Sequence, residues 1–112
     1  MKKIEAVIRP ERLDDVKAAL EAAGYPGLML TRIEGHGKQK GLLQQFRGRP
    51  YKLELLPKFK IEVVCNDGQC KALIDAIIAA GRTGEVGDGK IFVSDVAEVF
   101  RIRTGEEGEG AV

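Results

Sequence analysis

Three stretches of this chain combine residue types suited to holding an anion. Gly35-His36-Gly37-Lys38-Gln39-Lys40-Gly41 interleaves three glycines with two lysines. Thr83-Gly84-Glu85-Val86-Gly87-Asp88-Gly89-Lys90 repeats the style. Glycines let backbone N–H groups turn toward an anion, and a lysine adds a point charge. Arg101 and Arg103 stand two residues apart; in an extended segment they project to one side and grip a single phosphate group. Neither glycine segment is a Walker A loop, which needs Gly-Lys-Ser/Thr opening a helix, whereas a strand follows Lys90. The first is one residue too long for a dinucleotide fingerprint. Three phosphate-suited segments in one short chain favour a nucleotide ligand.

The charge is distributed to match. The 112 residues carry 18 Lys plus Arg against 17 Asp plus Glu, a net +1 that gives no global pull toward nucleic acid or an anionic membrane. Locally the bias is strong. From His36 to Lys60 there are seven bases (Lys38, Lys40, Arg47, Arg49, Lys52, Lys58, Lys60) against Glu54 alone. Cys65 and Cys70 lack zinc-site spacing, and with one His in the chain they read as two semi-buried thiols. No nucleophile–base arrangement stands out.

The elements that must position these residues follow from periodicity. Residues 3–9 alternate, with Ile4, Ala6 and Ile8 on one side and Lys3, Glu5 and Arg9 on the other, which predicts a strand. Pro10 opens a new element. Leu13, Val16, Leu20 and Ala23 then recur at helical spacing, and Gly24 is placed to end that helix. A second strand is expected over 28–34. Over 58–65 a third strand turns Phe59, Ile61, Val63 and Cys65 inward. Asp67 reads as the N-cap of a second helix carrying Leu73, Ile74, Ile77 and Ala80 and closed by Gly81. Residues 90–98 form a fourth strand. The order predicts an α+β, ferredoxin-like βαββαβ domain over 1–112, two helices covering one face of an antiparallel sheet. Val7, Val64, Phe92 and Val96 fall near the open face, which predicts a homo-oligomer. The long connection at about 37–57 shows no periodicity and is of a length that is usually functional. The acidic, glycine-rich end, residues 105–112, reads as a mobile tail within a C-terminal loop of about 102–112. No apolar run approaches the roughly 18 residues of a spanning helix, and the start lacks a signal peptide's long apolar stretch, so a cytoplasmic location without membrane insertion is expected.

These residues resemble the PII nitrogen-regulatory signal proteins over essentially the whole chain. The likeness rests on Met1-Lys2-Lys3-Ile4-Glu5-Ala6, Leu13-Asp14-Asp15-Val16, Gly35-x-Gly37-x-Gln39-Lys40-Gly41 and Arg47-Gly48-x-x-Tyr51. It continues in Leu56-Pro57-Lys58-x-Lys60-Ile61-Glu62, Thr83-Gly84-x-x-Gly87-Asp88-Gly89-Lys90-Ile91-Phe92-Val93 and Arg101-Ile102-Arg103-Thr104-Gly105-Glu106. The resemblance implies a homotrimer with ATP or ADP in clefts between neighbours, 2-oxoglutarate beside Mg-ATP, and a long T-loop, 37–57, that docks into target proteins. It implies a regulator of nitrogen metabolism and not an enzyme. Carried over by residue, Gly87, Asp88, Gly89 and Lys90 would surround the phosphates with Arg101 and Arg103, the latter pair from the adjacent subunit. Gly35, Gly37, Lys38 and Gln39 would approach the nucleotide from the T-loop base, with Glu62 and Val64 near ribose and base. Gln39 would help hold Mg²⁺. Lys58 would pair with a carboxylate of 2-oxoglutarate, alongside Gln39, Lys40 and Gly41. Tyr51 matches a tyrosine that many members carry uridylylated, here preceded by Pro50.

This chain departs from the family at Met29, where many members have a hydroxyl residue near the adenine, at Lys38 for a frequent arginine, and at Phe46 for a common tyrosine. The implied targets include an ammonium transporter, a glutamine synthetase-regulating enzyme or nitrogenase; residues 37–42 are similar to the nitrogenase-associated branch. Two other classes stay open on the residues: a ferredoxin-like phosphotransfer enzyme using His36, and a structural or metal-binding trimer without nucleotide.

Overall fold

The structure, a computed structural model, describes residues 1–35 and 56–112 and the backbone pairing of 45–46 with 49–50. Strand β1 (Lys2–Ile8) leads through a 3-10 turn that begins at Pro10 into helix α1 (Leu13–Ala22). Strand β2 is Met29–Gly35, and two short strands follow, β3 (Gln45–Phe46) and β4 (Arg49–Pro50). Strand β5 (Leu56–Cys65), helix α2 (Asp67–Gly81) and strand β6 (Lys90–Asp95) complete the order. The main sheet runs β2-β5-β1-β6 with every neighbouring pair antiparallel. Thus β5 is inserted between β1 and β2, and β1 between β5 and β6. Two interleaved split βαβ units make the α+β, ferredoxin-like arrangement that the periodicity predicts.

The period-two pattern of β1 and β5 decides which face is covered. Ile4, Ala6 and Ile8 alternate with less buried neighbours, as do Ile61, Val63 and Cys65, and all six are buried. Val16 and Leu20 of α1 and Leu73 and Ile77 of α2 close over them, forming one core. Gly81 lets α2 lie close: a Cβ there would meet Val16 Cγ2 at 3.6 Å and Ile8 Cγ2 at 3.8 Å. Gly24 takes φ +79°, the left-handed conformation that ends α1. On the opposite face β1, β5 and β6 align Lys3, Glu5 and Val7 with Lys60, Glu62, Val64, Phe92 and Ser94. Phe92 is 56% exposed there, while Val7 and Val64 are half-buried, as is Val96 just beyond β6.

Several expectations are corrected. The N-cap of α2 is Asn66, extended at φ −74° and ψ 154°, and its N–H donates to Gln69 Oε1 at 3.1 Å. Asn66-x-x-Gln69 is the reaching-back half of a capping box, and Asp67 becomes the first helical residue, where its charge suits the helix dipole. Ala23 lies exposed just past α1 instead of on its buried face. Strand β6 stops at Asp95, short of 98, and the connection expected to lack regular structure contains the β3–β4 pair.

The end of the chain changes most. Arg101 and Arg103 occupy a turn, not an extended segment: Gly105 N–H donates to Arg101 O at 2.7 Å. The acidic end folds back, with Phe100 bridged to Glu107 and Gly108 N–H donating to Val99 O at 3.0 Å. The glycines at 105 and 108 take φ +72° and +82° and make the reversal possible. Among the described residues no helix is long and apolar enough to cross a membrane.

Leu20 is fully buried between α1 and the sheet. Leu20→Ala should lower unfolding stability by about 2–5 kcal/mol, read as a shifted urea midpoint at unchanged slope. A loss well under 1 kcal/mol would mean that α1 does not close this core.

Candidate functional site

The connection from α2 to β6, residues 82–89, is built around one carboxylate. Asp88 Oδ2 accepts the N–H groups of Thr83 and Gly84, both at 2.9 Å. Its Oδ1 accepts Arg9 Nε at 2.9 Å and the Thr83 hydroxyl. A carboxylate has about four acceptor sites, and these four donors fill them. The Thr83 hydroxyl above all, with Arg9 and the two amides, holds the Asp88 carboxyl well below the usual carboxylate range although burial opposes this. Arg9 also donates from Nη2 to Val86 O at 2.8 Å, so β1 braces the loop at two points. Gly84, Gly87 and Gly89 take φ of +90°, +104° and +98°. Gly89 admits no side chain, since a Cβ would sit 1.7 Å from Val7 O.

Lys58 enters from the open side of β5. It is 8% exposed, and its Nζ donates to Gly87 O at 2.6 Å. Gly35, at the end of β2, leaves it room: a Cβ there would stand 3.4 Å from Lys58 Cγ. Burial, and next the positive charge of Arg9, pull the Lys58 ammonium below its ordinary pKa. An ammonium has three donors, and among the described residues Lys58 spends one and has no carboxylate partner. A buried cation in that position attracts an anion.

Gly35, Lys58, Gly87, Asp88 and Gly89 are therefore brought together, with Lys90 exposed at the start of β6. Asp88 is occupied in shaping the loop that presents the amides. Glu62 lies along the same face of β5, and its carboxylate is 2.7 Å from Lys3 Nζ and 3.5 Å from Lys60 Nζ. Lys3, the closer partner, holds that carboxyl below its ordinary pKa. Val64 follows on the same face, and Met29 pairs with Glu62 across β2 and is exposed. Arg101 pairs with Glu106 at 2.8 Å, and Arg103 is exposed. Among the described residues no hydrogen bond or ion pair joins either arginine to 87–90. His36, Gly37, Lys38, Gln39, Lys40, Gly41 and Tyr51 lie outside the described residues.

Sequence reasoning missed Arg9 and Thr83. Arg9 reads as one more polar residue on the strand, and only the fold sets it against the 82–89 loop. Thr83 carried a weak local signal, a hydroxyl residue before glycine, and its Oγ1 accepts Glu85 N–H at 3.1 Å. A groove of about 450 Å³ between α2 and β6, walled by Ile74, Ile77, Ile78 and Val93, opens at Gly89 and Lys90. Its apolar side chains offer a phosphate nothing, and the cations that line it are Arg82 and Lys90.

The comparisons with known proteins agree on one family. The family model described as nitrogen regulatory protein P-II matches residues 1–106. The chain is 53% identical to nitrogen regulatory protein P-II 2 of Methanothermobacter thermautotrophicus over 112 residues, all of this chain and 97% of that one. It is 54% identical to nitrogen regulatory protein P-II of Cereibacter sphaeroides and 50% identical to that of Synechocystis, in both over the full length of the two chains.

Asp88 ionises more readily in the folded loop than in the unfolded chain. Its contribution is fully present above the ordinary carboxylate pKa of about 4 and is lost as pH falls below it. Asp88→Asn should cost about 1.5–3 kcal/mol near neutrality and flatten the acid limb of stability against pH. An acid limb as steep as in the parent protein would show that the carboxylate does not hold the loop.

Proposed function

This chain belongs to the nitrogen regulatory protein P-II family, and on that premise we propose that it is a signal-transduction regulator binding ATP or ADP together with 2-oxoglutarate. The observation that carries this reading is Lys58: a buried ammonium without a contacting carboxylate among the described residues, set against the glycine loop at Gly87. A carboxylate of 2-oxoglutarate supplies that counter-charge, and the surrounding low dielectric strengthens the pair. Gln39, Lys40 and Gly41 flank the effector from the adjoining segment.

The phosphates of the nucleotide lie on the amides around Gly87 and Gly89 and on Lys90. Gly35, Gly37, Lys38 and Gln39 approach from the other side, and Glu62 and Val64 border ribose and base. Arg101 and Arg103 come from a neighbouring copy in a homotrimer, since within one chain they make no bond to the loop. The open sheet face, with Phe92 and Val64 on it, supports such an assembly. The amide oxygen of Gln39 is a hard donor suited to Mg²⁺. Bound there, the cation would offset phosphate charge beside the effector.

Signalling follows if ligands prefer one arrangement of the 37–57 segment over another, because only a difference in affinity shifts a population. Gln39 and Lys58 bind from the two ends of that segment, so filling the site ties its ends together. The partner is a target protein that the segment docks into, and Tyr51 on it is the residue open to modification.

Calorimetric titration tests the reading. ATP with Mg²⁺ should bind the bare protein, and 2-oxoglutarate should bind only the ATP-loaded form. Lys58→Met should abolish 2-oxoglutarate binding while ATP affinity stays within a few fold. Since the effector needs the protonated amine, its binding should fade at a lower alkaline pH than an exposed lysine would give. Undiminished 2-oxoglutarate binding in Lys58→Met would remove the assigned role.

A further inference from the structure

Cys65 and Cys70 are the two cysteines of the chain, and both are free thiols. Cys65 ends β5 and is fully buried, whereas Cys70 is half-buried near the start of α2 and packs against the same core. The turn between them fixes their relation. Asn66 is the N-cap, its N–H held by Gln69 Oε1 at 3.1 Å, so Cys65 is the residue before the cap and Cys70 the fourth residue of the helix. Those two positions meet across a capping turn, where proteins often place an apolar pair. Here the pair is two thiols. Burial above all, and then the neighbouring Cys70, push the Cys65 thiol up from its ordinary pKa. Cys70 reaches solvent, and it stands where the amides of a helix N-terminus favour a thiolate.

We propose that the β5–α2 turn is an oxidation site, where hydrogen peroxide converts Cys70 and Cys65 into a reversible disulfide, Cys70 reacting first and Cys65 resolving it. The Cys70 sulfur attacks one peroxide oxygen. The S–O bond forms, the O–O bond breaks, and the departing hydroxide takes up the thiol proton as water. The sulfur has given two electrons and is now a sulfenic acid. The Cys65 sulfur then attacks that of Cys70, forming the S–S bond and breaking the S–O bond. The hydroxide released takes the Cys65 proton as a second water. Two thiols and one peroxide thus give one disulfide and two waters, and an external dithiol reverses the change by exchange. Lys58 stands seven residues earlier on β5, about 23 Å away at roughly 3.3 Å per residue. The oxidation site is therefore separate from the ligand site and does not rest on it.

Trypsin cuts after Lys60 and Lys71 and nowhere between, so one peptide, 61–71, carries both cysteines. The folded full chain is treated with hydrogen peroxide, unfolded in urea, alkylated with iodoacetamide and digested without reductant. Peptide 61–71 should emerge lighter by two hydrogens and unalkylated, and should take two alkyl groups once dithiothreitol has been added. Cys70→Ser should leave Cys65 reduced at the same peroxide dose. Cys65→Ala should leave Cys70 as a sulfenic acid that dimedone traps; the half-buried Cys70→Ser decides the matter alone if Cys65→Ala does not fold. A doubly alkylated peptide after peroxide overturns the proposal. So does sulfinic or sulfonic acid at Cys70 beside a reduced Cys65, or a 61–71 peptide linked between two chains. Oxidation of Cys65 in Cys70→Ser as fast as in the parent protein overturns it as well, because the buried thiol would then need no partner.

Discussion

Gly89 passes so near the Val7 carbonyl that a methyl group in its place would stand 1.7 Å from the oxygen. That approach, together with the Arg9–Asp88 pair at 2.9 Å, pins the start of β6 and the loop before it to the end of β1. With both ends fixed, the loop has little freedom left. The carbonyls of Val86 and Gly87 then meet the two cations Arg9 and Lys58. Polarity in this corner is thus divided, with the carbonyls of Val86 and Gly87 serving the two cations and the amides of Thr83 and Gly84 serving Asp88.

The two cations are not equivalent. Arg9 has Asp88 as a partner at 2.9 Å. Lys58 has only a neutral carbonyl among the described residues, so burial and the repulsion of Arg9 act on it unopposed by a contacting carboxylate. A buried ammonium left this way costs folding free energy, and a bound carboxylate returns that cost as affinity. The same feature that weakens the empty protein therefore favours the dicarboxylate effector proposed for it, which is how strain at a binding site becomes selectivity.

The sheet and both helices were legible because burial imposes its own period. Ile4, Ala6 and Ile8 could belong only to a half-buried strand, and Val16 and Leu20 only to a helix face, whatever lay elsewhere in the chain. Glycine and lysine types marked 83–90 as a stretch suited to an anion, whereas Lys58 gained its role only through the family resemblance. What the sequence hid were contacts between residues far apart in order. Arg9 and Asp88 are 79 residues apart, and nothing local in Arg9-Pro10 announces the pair. The turn at 101–105 was hidden for a different reason. Arg-Ile-Arg alternates like a strand, and only the positive φ at Gly105 and Gly108 and the pull of Glu106 on Arg101 reverse it.

The open face of the sheet bears on whether a second copy can cover it. Four of its charges are already matched within the chain, Lys3 with Glu5 at 3.1 Å and with Glu62 at 2.7 Å, and Lys60 with Glu62 at 3.5 Å. Burying an unpaired charge at an interface is prohibitive, whereas burying a satisfied network is close to neutral. Phe92 and Val64 at the margins of that network then supply the apolar area that drives association. The trimer proposed above therefore needs no new ion pairs for Lys3, Glu5, Lys60 or Glu62. It needs only that Arg101 and Arg103, separated from the glycine loop in their own chain, reach the loop of a neighbour. In that arrangement the phosphate site is shared between two copies.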